Sequence, residues 1–124
     1  MSYIVDTCGW IEWLIDSDLA PSYAHYFKNL SDILVPTLIQ YELYKWVTRE
    51  KNSIAALEVI GITETGTVIP LDTNLALYAA DIAKEYKLAM ADAIIYATSK
   101  HYKATLITSD KHFLSLPDIQ FIKK

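Results

Sequence analysis

Apolar residues come in short runs along this chain, and polar breaks part them at fairly regular intervals. Tyr3 to Val5 reads as a strand that ends at Asp6, and Trp10 to Ile15 then takes a helical spacing. Ser17 or Asp18 is placed to cap a second helix, with Pro21 in its first turn, where a missing N–H costs little. Ile33 to Val35 is a second strand, stopped by Pro36. Thr37 with Gln40 three residues on has the capping-box spacing and opens a helix towards Arg49. Another helix covers Ser53 to Ile60, and Val68 to Leu71 gives a third strand. Asp72 or Thr73 caps the helix that runs to about Lys87. LAMADAIIYATSK, Leu88 to Lys100, is a helix with Asp92 in its first turns. The strand Thr105 to Thr108, a turn or short helix at Ser109 to Leu116 and a last strand, Ile119 to Ile122, complete the chain.

Strands that alternate with helices need crossover connections, which predicts an α/β fold with a mainly parallel sheet and helices on both faces. The length of 124 residues fits one domain, residues 1–124, and no linker or repeat divides it. Sites on such sheets form outside the carboxyl ends of the strands, near a switch in strand order. Asp6 leaves the end of the first strand and Asp110 the end of the fourth. Asp92 lies early in a helix whose N-terminus faces the same edge, and Glu42 lies in the first two turns of the helix after the second strand. These four acids are expected to converge.

Two of them sit oddly for surface residues. Asp92 has no basic residue within four positions on either side, in a helix that is apolar on nearly every face. Glu42 falls inside the stripe Leu38, Ile39, Leu43 and Trp46 rather than opposite it. Buried ionised carboxylates are rare unless paired or bound to metal, and several together repel one another unless a divalent cation lies between them. Oxygen donors with few histidines suit Mg2+ or Mn2+ better than zinc. Such a site prepares a water to attack a phosphodiester and stabilises the leaving oxygen. Read singly, each acid has a plainer explanation: Asp6 and Asp110 as turn or helix caps, Asp92 as an early-helix acid favoured by the dipole, Glu42 as a partner of Lys45 or Arg49.

Charge narrows the choice further. Eleven Lys and Arg against fifteen Asp and Glu leave a formal charge of −4, so bulk attraction to nucleic acid is weak and any such contact needs local cations. Lys45, Arg49 and Lys111 stand near the acids as phosphate contacts, the alternative being a solvated face. A single cysteine, Cys8, rules out an internal disulfide framework and is compatible with a reducing cytoplasm. The opening MSYIVDTCGWIEWLI lacks a basic n-region, and no apolar run reaches the roughly 18 residues of a membrane span. His25, His101 and His112 have no metal-ligand spacing and read as structural, as does Cys8; Asp81 and Glu85 read as a solvated helix face. Trp10 and Trp13 read equally as core or as a partner-binding surface. A phosphoacceptor receiver domain would need an acceptor Asp after the third strand, where Asp72 lies, and a Lys after the last, where none is suitably placed.

Four segments in this order and spacing, YIVDTCGWIEWL, PTLIQYELYKW, LAMADAIIYATSK and ATLITSDKHF, resemble the PIN domain family, and within it the VapC-type toxins of toxin–antitoxin modules. The resemblance runs from about Tyr3 to Ile122. It implies a three-layer α/β/α sandwich and Mg2+- or Mn2+-dependent endoribonuclease activity on RNA. The metal-site acids carry over to Asp6, Glu42, Asp92 and Asp110, and Thr108 stands where the family commonly has a supporting Thr or Ser. His112 stands where related sequences often have another Asp, so no fifth acidic ligand is expected. A small VapB-type antitoxin partner, a homodimer and a cytoplasmic location without membrane attachment are the remaining expectations. A PIN-like domain kept only for binding is the alternative, and four intact acids speak against it.

Overall fold

The computed structural model describes residues Met1–Lys124. Five short strands alternate with six helices: β1 (Tyr3–Val5), α1 (Thr7–Leu14), α2 (Ala20–Phe27), β2 (Leu34–Pro36), α3 (Thr37–Glu50), α4 (Ser53–Thr63), β3 (Thr67–Ile69), α5 (Thr73–Tyr86), α6 (Met90–His101), β4 (Thr105–Thr108) and β5 (Ile119–Phe121). Every pairing is parallel: β1 with β4, β4 with β5, and β2 with β3. A parallel bridge between Tyr3 and Ile33 brings β2 alongside β1, giving the order β3-β2-β1-β4-β5.

That order explains the layering. From β1 the chain steps outward through β2 to β3, then returns past β1 to β4 and β5. Right-handed crossovers place α1 to α4 on one face and α5 with α6 on the other. The strands are therefore covered on both sides, and Ile4, Val5, Leu106 and Ile107 in β1 and β4 are fully buried. The reversal of direction falls between β1 and β4, where neighbouring strands send their chains to opposite faces and leave a crevice at their carboxyl ends.

Several boundaries differ from the sequence expectation, each for a local reason. α1 starts at Thr7 rather than Trp10, because the Asp6 carboxylate accepts the Thr7 N–H at 2.8 Å and nucleates the helix directly after β1. α2 is capped at Leu19, not at Ser17 or Asp18; Ser17 Oγ accepts the Leu19 N–H and donates to Glu12 instead. Pro36 closes β2 instead of stopping short of it. The capping box at Thr37 does not form: Gln40 Nε2 donates to Thr63 Oγ1 at 3.1 Å and to Glu64 Oε2 at 2.8 Å, tying α3 to the end of α4. α4 continues to Thr63, three residues beyond the expected end, and β3 is shifted to Thr67–Ile69. Asp72 caps α5 as expected, accepting the Leu75 N–H at 2.8 Å, which removes it as a receiver-type acceptor.

Of the two tryptophans in α1, Trp10 is core at 1% exposure, while half-buried Trp13 stacks on Phe27 at 4.1 Å between ring centres. Gly9, between Asp6 and Trp10 on this helix, is fixed by close approach. A Cβ there would stand 2.6 Å from Val5 Cγ1 and closer still to the ring of the fully buried Tyr23.

Gly9→Ala is expected to lose roughly 1–3 kcal/mol through overpacking, reversing the gain an exposed helix position would give. Gly61→Ala in α4, where an added Cβ meets nothing within 4 Å, is expected to gain up to about 1 kcal/mol. Denaturant unfolding of the two variants measures the contrast, and equal effects would contradict the packing at Gly9.

Candidate metal centre

Carboxylates from four different segments lie near the carboxyl ends of β1 and β4, where Asp6 feels the charges of Glu42 and Asp92, and Asp92 that of Asp110. Asp6 follows β1, and its backbone N–H still donates to Ile107 of β4 at 2.9 Å, so its position is set by the sheet itself. The side chain is only 6% exposed. Thr108 Oγ1, at the end of β4, donates to Asp6 Oδ2 at 2.8 Å and accepts the Asp110 N–H at 2.9 Å. One hydroxyl thus links the loops that leave the two central strands.

Asp110 caps the short 3-10 turn Lys111–Phe113, accepting the His112 N–H at 2.9 Å, and fully buried Phe113 anchors that turn. Asp92 lies in the first turn of α6, where the partial positive charge of the helix end favours a carboxylate. Its partner comes from far along the chain: His112 Nδ1 lies 3.0 Å from Asp92 Oδ2 and 3.3 Å from Asp110 Oδ1. Asp92, Asp110 and His112 offer three ligand atoms within 4.8 Å of one another.

Glu42 enters from α3. The buried line of that helix is Ile39, Leu43 and Val47, so Glu42 is half-buried on its flank rather than inside the stripe, and Leu38 and Trp46 are likewise only partly covered. Thr7 Oγ1 donates to Glu42 Oε1 at 2.6 Å and so connects it to the residue after Asp6. Glu42 is thus tied to the segment of Asp6 through Thr7, Asp92, Asp110 and His112 form a second group, and Thr108 bonds to both Asp6 and Asp110.

The electrostatics follow from this arrangement. Burial pushes the Asp6 carboxyl up to about 6; the Thr108 and Thr7 hydrogen bonds oppose the shift, and the charges of Glu42 and Asp92 add to it. Asp92 is raised as well, mainly by burial and by Asp110, against the pull of His112. His112 is raised by the two carboxylates it faces. Burial and the Asp6 charge push the Cys8 thiol up, so it is a protonated neighbour of the site and not a thiolate nucleophile.

The donor set fits a hard divalent cation. The acids offer oxygen donors, and a cation held among them would offset both the burial of Asp6 and its repulsion by Glu42 and Asp92. Around the acids stand the expected cations. Lys45 and Arg49 border a groove with Thr7, Tyr41, Glu42 and Trp46; Lys45 Nζ lies 5.9 Å from the centre of the Tyr41 ring, and Arg49 pairs with Glu50 at 3.2 Å. Lys111 borders a second groove with Cys8, Ser109, Asp110 and Lys124. His112 is the residue that sequence spacing missed. Its neighbour Asp92 is twenty positions away, and the signals were its place two residues after Asp110 and the resemblance that sets it where related sequences often have an Asp.

The PIN domain family matches residues 3–119, and the chain belongs to that family. Among solved structures, the fold is similar to a toxin–antitoxin complex from Klebsiella pneumoniae, with TM-score 0.84, 20% identity and coverage of 99% of this chain and 100% of that one. It is also similar to VapBC2 from Rickettsia felis bound to a promoter DNA fragment, with TM-score 0.77, 17% identity and coverage of 99% and 98%. A third similar structure is VapC20 of Mycobacterium tuberculosis, a toxin that cleaves the sarcin–ricin loop, with TM-score 0.76, 15% identity and coverage of 99% and 98%. At these identities the likeness shows a shared fold. Comparison with curated proteins gives no match. No helix is long and apolar enough to cross a membrane.

The three shifts at the site act on stability in one direction. Asp6 is protonated in both folded and unfolded chains well below 3.8, and ionised in both well above about 6, so the folded state loses about 2–4 kcal/mol as pH rises across that window. The raised Asp92 adds to the same loss, and the raised His112 contributes stability that is full below 6.5 and disappears as pH climbs past its folded value. Urea unfolding of the metal-free chain is expected to give lower stability at pH 7.5 than at pH 4.5, with saturating Mn2+ restoring the difference. A metal-free stability that is flat or rising over this range would contradict the assignment.

Proposed function

We propose that this chain is a metal-dependent endoribonuclease that hydrolyses RNA phosphodiester bonds, with residues 1–124 forming one nuclease domain. The observation that carries the reading is the nearly buried carboxylate of Asp6, set at the switch point beside Asp92 and Asp110, in a chain that belongs to the PIN domain family. Asp6, Glu42, Asp92 and Asp110 are the residues that would hold Mg2+ or Mn2+. A cation held by these residues would supply Lewis-acid polarisation of a phosphate oxygen and of the attacking water.

The remaining roles belong to the chain's own groups. Thr108 holds the Asp6 carboxylate by its hydroxyl and keeps the Asp110 backbone in register with it. Thr7 orients Glu42 in the same way. Lys45, Arg49 and Lys111 lie beside the acids and are suited to neutralise phosphates on either side of the cut, which an acidic chain needs locally. Two of the similar folds are VapC-containing structures and a third is a toxin–antitoxin complex. These likenesses support the further reading of a VapC-type toxin held by a small VapB-type antitoxin, and a homodimer acting in the cytoplasm completes the proposal.

A panel of structured RNAs incubated with Mn2+ or Mg2+, with and without EDTA, tests the activity. Asp92→Asn keeps the side-chain shape but removes the charge and is expected to lower cleavage by at least about a hundredfold while the protein stays folded. Cleavage that persists in EDTA, or that is equal in Asp92→Asn, would overturn the reading.

A further inference from the structure

We infer that His112 is a direct metal ligand through Nδ1, and that this nitrogen tilts the site towards Mn2+ over Mg2+. The inference rests on the metal site proposed above. The three donor atoms lie within 4.8 Å of one another, close enough for one ion to replace the hydrogen bond between His112 and Asp92. His112 Nδ1 is 3.0 Å from Asp92 Oδ2 and 3.3 Å from Asp110 Oδ1, and adjacent ligands of an octahedral ion with bonds of about 2.1 Å are separated by roughly 3 Å. The ring is presented by a fixed backbone. The His112 N–H is held by Asp110 Oδ1 at 2.9 Å, and fully buried Phe113 pins the turn from below. The imidazole is 72% exposed and open to solvent, whereas Asp6 is nearly buried.

The chemical consequence follows from donor type. Mg2+ is a hard ion that favours oxygen, whereas a transition ion gains from an imidazole nitrogen. An all-carboxylate site with a fifth acid would also carry one more negative charge than this one. His112 therefore exchanges charge for a nitrogen donor, which weakens Mg2+ relative to Mn2+.

Two readouts other than cleavage test the assignment on the full chain. The first is pulsed electron paramagnetic resonance of Mn2+ added below one equivalent. It is expected to show echo modulation from a directly bound imidazole nitrogen, lost in His112→Asp. The second is calorimetric titration with Mn2+ and with Mg2+, in which His112→Asp is expected to lower the Mn2+:Mg2+ affinity ratio by about tenfold. Tight Mn2+ binding with no nitrogen modulation in the wild type would overturn the role of His112 and leave the carboxylate site standing. Mn2+ binding that is absent, or unchanged by Asp92→Asn, would overturn both. The chain has three histidines, so loss of the nitrogen signal in folded His112→Asp, and in His112→Gln as a second variant, assigns it to His112, while a wild type without the signal overturns the ligand before any variant is made.

Discussion

The Thr108 hydroxyl, donating to the carboxylate of Asp6 and accepting the backbone N–H of Asp110, is the contact on which the site depends. It joins the two loops that leave the central strands in opposite directions, and it does so inside the protein, where an unpaired hydroxyl or carboxylate is expensive. The bond offsets part of the cost of burying Asp6 but not all of it, since the carboxyl still lies well above its ordinary value. The folded chain therefore holds an acid that its own hydrogen bonds leave incompletely satisfied. A cation held beside it would supply the missing compensation, which is the physical reason for proposing a metal there.

Strand order creates this situation. With β1 and β4 adjacent and their crossovers on opposite faces, α3 brings Glu42 in from one layer and α6 brings Asp92 in from the other. Local sequence then fixes each acid separately. Thr7 follows Asp6 and reaches Glu42, the first turn of α6 favours a carboxylate at Asp92, and the 3-10 turn after β4 orients Asp110. Asp6 and Asp110, more than a hundred residues apart, are thus held on the short turns after β1 and β4 by the hydrogen bonds of Thr108.

Much of this was legible from the chain itself. The alternation of short apolar strands with helices gave the parallel sheet, β1 and β4 matched residue for residue, and the acids after strand ends pointed to one edge. Asp92 stood out because no basic residue lies within four positions of it on either side. What was not legible depended on contacts between distant segments. Gln40 has capping-box spacing, yet its amide is drawn away by Thr63 and Glu64 at the end of α4. Glu42 was read as part of a buried stripe that the packing shifts to Ile39, Leu43 and Val47. His112 lacked any ligand spacing because its neighbour Asp92 comes from another element, and only the folded chain brings the two within 3.0 Å.

The central claim is that Asp6 is a buried carboxylate awaiting a cation. Titration of its side-chain carboxyl carbon by nuclear magnetic resonance, in metal-free protein and again with saturating diamagnetic Mg2+, tests it most directly. The metal-free carboxyl is expected to titrate near 6, and with Mg2+ bound to fall below its ordinary 3.8. A midpoint near 3.8 without metal, or one near 6 that Mg2+ does not move, would contradict the account.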